Sequence, residues 1–589
     1  MTDDVVSGIQ LNIIESYDDA ESFMRWLGER RPILACDTET TGLNWWTPNF
    51  LRLVQFGDLS TGWVIPWRGW GGLAKEALKR YNGPLVFHNA KFDIKGLETS
   101  GVPVKRDKLH DTRSMYHLLD PAHNTGLKEL GVRFVDGNAD AGQSALKRGM
   151  TQNKWTWATV PEDFPPYWIY SALDPVLTAH LYQQGKPQMI GDLGNVYELE
   201  VAVLQILDDI ERKGARVDVA YCEEQRDRLL NFAEDARDWI DQNYGFGPGN
   251  HKKVAAQLQR DGVILSKKTP SGGWSMDAEV LEEIVAETAH PLAKTVLNVR
   301  TAEKMGNSYF GNYVEFAIDG ILHADINPLG TRTGRMSVSR PPLQQIPRTK
   351  LLRDPFIAGE GNRLVSVDFD QLQMRLMACL SRDRGLIDAF LTGGDFFCNM
   401  VGRLYGETNI VKSDPRRTPL KNASYALAFG AGDKKFAATA GVPEGPASVA
   451  FVQQFDHMFP GIKLYSREIE ALALENGTRS GTPYVTTPMG RRQPADYEKG
   501  QWKMYALVNY VIQGAEADLF KQTLVDIDRS GLLEYMILPV HDEMVFDVPE
   551  GLAEEVAHDV VDIFQTDRGM EVPLTAGSDI MERWGSKYS

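Results

Sequence analysis

The chain has 589 residues, a mass of 65.9 kDa, a net charge of −17 and a pI near 5.2. At roughly 100–200 residues per domain it holds about three or four domains, and its ordinary composition, 43% hydrophobic and 24% charged, excludes a disordered chain, a collagen and a coiled-coil rod. The acidic total argues mildly against a nucleic-acid binder, whose footprint is usually basic, but does not decide, because carboxylates gathered around metal ions also lower the pI.

No apolar run reaches the roughly 18 residues of a membrane span, and the acidic start Met1-Thr2-Asp3-Asp4 lacks the basic region of a signal peptide. Four cysteines lie far apart without a Cys-x-x-Cys, which suits a reducing compartment and argues against a disulfide scaffold or zinc ribbon. A cytoplasmic location with no membrane partner is expected.

Short β-like runs come first, at residues 33–36, 51–56 and 85–87. Asp37-Thr38-Glu39 ends the first run. Strand side chains alternate, so Asp37 and Glu39 share a face about 7 Å apart. Asn89-x3-Asp93 follows the third run and enters a helix. Tyr170 and Asp174 lie four apart, on one helix face. Singly, these acids read as surface carboxylates, and the tryptophans of this region mainly as packing residues, with base stacking as a second use. Gathered, Asp37, Glu39, Asp93 and Asp174 would repel one another unless divalent cations lay between them, and such oxygen sets are what Mg²⁺ prefers.

A boundary is expected near residues 185–187, followed by a long helix with apolar Leu199, Val203, Ile206, Leu207 and Ile210 at helical spacing. Helices dominate to about residue 315. Residues 321–326 and 364–367 read as strands, the second ending in Asp368, with Asp370 placed as a helix cap. Helices return between about 370 and 475 and include Arg417, Lys421, Tyr425 and Phe429 on one stripe. That stripe suits a nucleoside triphosphate, and equally an amphipathic helix with a basic end. Strands at 535–540 and 544–548 then form a hairpin with His541-Asp542-Glu543 at its tip. If these strands neighbour the one ending in Asp368, Asp368 and Asp542 can bridge two Mg²⁺ ions.

The order Asp-x-Glu, Asn-x3-Asp, Tyr-x3-Asp resembles DEDDy-type 3′→5′ exonucleases over about residues 30–185. From about residue 197 onward the chain resembles family A DNA polymerases, the bacterial DNA polymerase I family. Asp368-Phe369-Asp370 through Arg375 is similar to motif A, Arg417 to Gly430 to motif B, and Val540-His541-Asp542-Glu543 to motif C. Thr333-Gly334-Arg335, Gly490-Arg491-Arg492 and Asn509-x3-Gln513-Gly514 match further family segments in order, and local cations such as Lys252, Lys253, Arg335, Arg348, Arg491 and Arg492 are expected to supply contacts to DNA phosphates. The resemblance implies an α/β multidomain chain: a ribonuclease-H-like exonuclease at 1–190, then a right-hand polymerase. The thumb would be 197–320, the palm 321–381 (motif A) and 480–589 (motif C), and the fingers 382–479.

By the same resemblance, Asp37, Glu39, Asp93 and Asp174 hold the exonuclease metals and Tyr170 positions the attacking water. Asp368, Asp542 and the Phe369 carbonyl hold the polymerase metals, two Mg²⁺ per site with Mn²⁺ as a substitute. Arg417 and Lys421 bind the incoming phosphates, Lys421 also donating a proton to pyrophosphate. Tyr425, Phe429 and Gln373 surround the nucleotide, and Arg335, Asn509, Gln513 and His541 face the DNA. The implied partners are primer–template DNA, dNTPs and replisome proteins such as a helicase–primase and a single-strand-binding protein, with the enzyme a monomer. With no room for a 5′-nuclease region, the chain looks most like a bacteriophage polymerase acting in the host cytoplasm.

Several positions depart from the bacterial pattern: Gln373 replaces the acid that gates the sugar, Phe429 replaces a tyrosine, and Gln345, Phe397 and Tyr505 replace Asn, His and Arg. Without a hydroxyl on Phe429 the usual bond to position 373 cannot form, so Gln373 is expected to exclude a ribose by bulk, without charge. Two other readings remain open on the residues: a nuclease whose second half only holds DNA, and an inactive primer–template-binding subunit. The full set of acids and cations argues against both.

Overall fold

The computed structural model describes residues 8–29, 31–392, 394–440 and 445–588. The N-terminal unit is built on six strands: β1 (Gln10–Ile13), β2 (Leu34–Thr40), β3 (Leu51–Gly57), β4 (Thr61–Pro66), β5 (Leu85–Phe87) and β6 (Leu109–Asp111). Their order is β1-β4-β3-β2-β5-β6. The β2–β3–β4 meander is antiparallel, and β5 and β6 run parallel to β2, which is the ribonuclease-H-like arrangement. Leu34, Ala35 and Cys36 are fully buried because the sheet is covered on both faces, so β2 reads as a continuous apolar run.

Helix α1 (Ala90–Thr99) starts directly after β5 through Asn89 in the left-handed region, φ 73°, a conformation that Asn tolerates better than most residues. The Ala90 amide donates to Asp111 Oδ2 at 2.7 Å, compensating for the missing side-chain cap on Asn89. Two further helices, α2 (Leu127–Phe134) and α3 (Pro165–Gly185), complete the site region. α3 crosses the meander closely at Gly62, where an added Cβ would lie 2.0 Å from the Ala172 carbonyl oxygen; the absence of a side chain there lets the helix settle onto the sheet.

Helix α4 (Gly191–Lys213) lies between the two halves of the molecule. Its Val196, Tyr197 and Leu204 pack into the N-terminal cores, while Val203, Leu207 and Ile210 pack into the large C-terminal core. A helical unit with its own core follows, led by α5 (Val219–Tyr244) and α6 (Pro291–Glu303).

The C-terminal unit carries a four-stranded antiparallel sheet: β7 (Asn362–Phe369), β8 (Met536–Val540), β9 (Glu543–Pro549) and β10 (Ala576–Met581), in the order β8-β9-β7-β10. Around it lie α7 (Leu372–Ser381), α8 (Arg417–Ala428), α9 (Pro460–Ser480), α10 (Leu507–Arg529) and α11 (Ala553–Phe564). α11 covers β7 and β10, while α10 packs on α4, α7, α9 and α11. α10 has buried residues on every face, as a central helix must.

Two local expectations are corrected. The strand read at 321–326 is broken into Ile321–Leu322 and Asp325–Asn327. The chain bends there to let the Ile326 amide and the His323 ring bond Glu211 of α4. Asp370 does not cap α7: the cap position is Gln371, left-handed at φ 53° with no side-chain bond, and Asp370 instead accepts from the Thr575 hydroxyl at 3.1 Å.

Candidate active sites

Asp37 and Glu39 end the buried part of β2 on one face, and α3 lays Asp174 against them. One carboxylate oxygen from each lies within 4.8 Å of the others. Asp93, on the first turn of α1, accepts from the Thr38 hydroxyl at 2.7 Å and stands just outside that group of three. Burial drives all four carboxyls upward, Glu39 and Asp93 to about 8, and Asp37 is raised further by Asp93, Asp174 and Glu39. The Tyr170 hydroxyl, also pushed up by burial, bonds Asp174. Lys128 of α2 forms an ion pair with Asp174 and sits 4.2 Å from the Tyr170 ring centroid. Three converging carboxylates, compensated by the Lys128 ammonium, fit divalent cations by their donor chemistry: such acids remain charged only beside positive charge.

A cavity of about 230 Å³ adjoins this site, lined by Trp45, Trp46, Asn89 and Arg113 of the N-terminal unit and by His323 and Arg340 of the C-terminal half. Trp45 and Trp46 thus face a cavity instead of a core.

In the second site, β7 and β9 pair so that Asp368 lies opposite Glu543. The β8–β9 hairpin turns at His541, φ 58°, and Asp542. The Phe369 amide donates to the Asp542 carbonyl oxygen at 3.2 Å. Asp368 and Asp542, about 170 residues apart in sequence, are therefore brought to neighbouring strand ends. Burial raises Asp368, and Lys587, 3.5 Å away, counters it. Glu543 turns inward: it accepts from Ser366 Oγ at 2.5 Å and Trp584 Nε1 at 3.0 Å and faces Arg353 at 3.3 Å and Lys587 at 3.4 Å. These cations and hydrogen bonds hold its carboxyl low against burial. The C-terminal turn Trp584–Tyr588 thus closes the floor of the site.

Above it, α8 carries Arg417, Lys421 and Tyr425 on one stripe, with Phe429 at its end. Arg417 is held by Asp395 at 2.9 and 2.5 Å. Burial, Arg417 and Arg348 lower the Lys421 ammonium. The Tyr425 ring lies 5.8 Å from Phe397 and 6.3 Å from Phe429, and its hydroxyl is raised by burial and by Asp542 and Glu516. Arg335, Gln373, His541 and Asp542 share the lining of one cavity of about 250 Å³. Asn509 and Gln513 bond each other at 2.9 Å on α10 and do not line that cavity.

Sequence reasoning missed Lys128, Lys587, Asp395 and Glu516, none of which sits in a recognisable spacing. It also expected Arg491 to meet DNA phosphates. Arg491 is 1% exposed and belongs to a buried network with Glu200 of α4 and Asp518 and Lys521 of α10. The neutral Gln373 amide donates to both oxygens of Glu516, each at 3.2 Å, so a carboxylate adjoins position 373.

The family model for DNA polymerase family A matches residues 221–586, and that for a 3′-5′ exonuclease matches residues 11–189. The chain is 29% identical over 609 residues to a DNA polymerase of Mycobacterium phage D29, and 28% identical over 607 residues to one of Mycobacterium phage L5; each match spans 98% of this chain and 97% of the relative. It is 27% identical to a DNA polymerase I of Pseudomonas aeruginosa, matching 97% of this chain to 65% of that one. Among solved structures, the POL domain of Pol1 from M. smegmatis, in complex with DNA primer-template and dNTP, superposes with a TM-score of 0.80 at 24% identity, covering 98% of this chain and 100% of the other.

Proposed function

The chain belongs to DNA polymerase family A and carries a 3′→5′ exonuclease domain, and from that premise we propose that it copies DNA and proofreads its own product with the two carboxylate sites described. The observation that carries the polymerase assignment is the pairing of β7 with the β8–β9 hairpin, which sets Asp368 beside Asp542. Asp368, Asp542 and the Phe369 carbonyl would hold divalent ions, Mg²⁺ by their hard oxygen donors, with Mn²⁺ as substitute. Asp37, Glu39, Asp93 and Asp174 would hold those of the exonuclease. Bound there, the ions supply a deprotonated nucleophile and charge stabilisation for the leaving oxygen.

The protein's own part is positioning and electrostatics. Lys421, whose ammonium is lowered by burial, Arg417 and Arg348, is poised to meet the triphosphate and to donate a proton to the leaving pyrophosphate. Arg417 must exchange Asp395 for phosphate. Tyr425 packs on the nucleotide, Phe429 lies behind it, and Gln373 stands at its sugar. Arg335, His541, Asn509 and Gln513 face the primer–template, where minor-groove acceptors are common to all correct pairs. In the exonuclease, Tyr170 orients the attacking water beside Glu39.

On this reading 1–190 is the exonuclease, 197–320 the thumb, 321–381 and 480–589 the palm, and 382–479 the fingers. The similarity to phage DNA polymerases is in keeping with a replicative enzyme in a host cytoplasm; a monomer acting beside a helicase–primase and a single-strand-binding protein is part of the same proposal, carried by the family resemblance. No helix among the described residues is long and apolar enough to cross a membrane. Extension of a primed template with dNTPs and Mg²⁺, with shortening of the primer when dNTPs are withheld, is the test; shortening without extension would refute the polymerase assignment.

A further inference from the structure

The most unusual group in the polymerase cavity is a carboxylate that the motifs do not predict. Glu516 lies on α10, is 9% exposed, and lines the same cavity as Arg335, Gln373, His541 and Asp542. It accepts from the Gln373 amide nitrogen through both oxygens at 3.2 Å and forms an ion pair with Arg335. A carboxylate can only accept here, so the Gln373 nitrogen must face it, and the Gln373 carbonyl oxygen is turned away. Burial raises Glu516 and Arg335 counters it.

We propose that Glu516 is a specificity-determining positioning residue, clamping Gln373 and Arg335 so that the side chain at 373 cannot swing aside for a ribose 2′-hydroxyl. The proposal rests on placing Gln373 at the nucleotide's sugar. A free glutamine has three rotatable bonds and yields to a slightly larger sugar. A glutamine held by two hydrogen bonds to a buried acid yields only by leaving that acid short of partners. The clamp also gives a physical reason for the amide at 373. A glutamate there would set a second negative charge against Glu516, whereas an amide presents donors to it. The missing hydroxyl of Phe429 then has no bearing on the choice.

The test is single-nucleotide insertion by the full chain carrying Asp37→Ala and Glu39→Ala, with kcat and KM measured for matched dNTP and rNTP. Glu516→Ala should reduce discrimination against the rNTP at least tenfold, chiefly by raising rNTP kcat/KM; tenfold corresponds to about 1.4 kcal/mol. On a Gln373→Ala background the same change should add nothing, because the gate is already gone. Gln373→Glu should impair dNTP insertion and be restored by Glu516→Gln, not by Phe429→Tyr. If Glu516→Ala unfolds, Glu516→Gln keeps the volume and should shift the ratio at least threefold. An unchanged ratio with dNTP insertion retained, an equal shift on both backgrounds, or loss of dNTP insertion in both folded Glu516 variants would overturn the clamp. A parent chain that inserts no dNTP would instead refute the polymerase reading itself.

Discussion

Neutralising one acid of the N-terminal cluster should stabilise the metal-free protein, with a pH dependence set by the cluster. Two like charges within 4.8 Å of each other repel by at least roughly 3–4 kcal/mol at an effective dielectric near 20, and Asp37 faces three other carboxylates with Lys128 as a compensating cation. Glu39 and Asp93 titrate near 8 in the fold, against about 4 when unfolded. The folded chain therefore binds more protons than the unfolded chain between about pH 4 and pH 8, and stability falls as pH rises through that window. Asp37→Asn keeps shape and removes a carboxyl that in the fold must either ionise beside its neighbours or hold a proton. In EDTA at pH 8 it should stabilise the N-terminal unit by about 3 kcal/mol, or roughly 6–12 °C in melting temperature for a unit of this size. At pH 4 the gain should vanish, because the acids are already protonated. With saturating Mg²⁺ the sign should reverse, because the variant loses the stabilisation that bound ions confer. Scanning calorimetry across pH 4–8, with EDTA and with Mg²⁺, measures all three. A variant no more stable than the parent at pH 8 in EDTA, or one equally stabilised in Mg²⁺, would refute the reasoning.

Lys128→Met removes an ammonium that competes with ions for Asp174, so the Mg²⁺ concentration at half-maximal thermal stabilisation should fall; a rise would contradict the competition. Lys587→Ala should lower primer extension about tenfold or more by freeing Asp368 and Glu543, leave exonuclease activity unchanged and be partly restored by Lys587→Arg; equal loss of both activities would point to general unfolding. Arg491→Ala should cost about 3–5 kcal/mol in urea unfolding by leaving Glu200 and Asp518 short of a cation, with primer–template affinity of the folded fraction nearly unchanged.

The parts of the fold legible in the sequence were those encoded by local pattern. The buried run before Asp37 marked β2, the apolar run before Asp368 marked β7, and the hairpin signal around His541-Asp542 marked β8 and β9. The acids at these strand ends were visible because strand alternation and helical spacing set their faces. Glu516, Lys128 and Lys587 were hidden for a common reason: each acquires its role from partners 44 to 219 residues away, and nothing in its immediate neighbours differs from an ordinary helix or tail. Arg491 was misplaced for the converse reason, since a basic pair beside a glycine looks solvent-facing until Glu200 and Asp518 are brought to it. The split strand near 321–326 was likewise decided by Glu211 on α4, not by its own propensities.

Two separable carboxylate sites are proposed for one chain, one that shortens a primer and one that extends it. A labelled primer–template with Mg²⁺ and dNTPs, followed with the parent chain, Asp37→Ala/Glu39→Ala and Asp542→Ala, tests this directly. The double variant should extend and not degrade, while Asp542→Ala should degrade and not extend. Loss of both activities in either folded variant would contradict the separation.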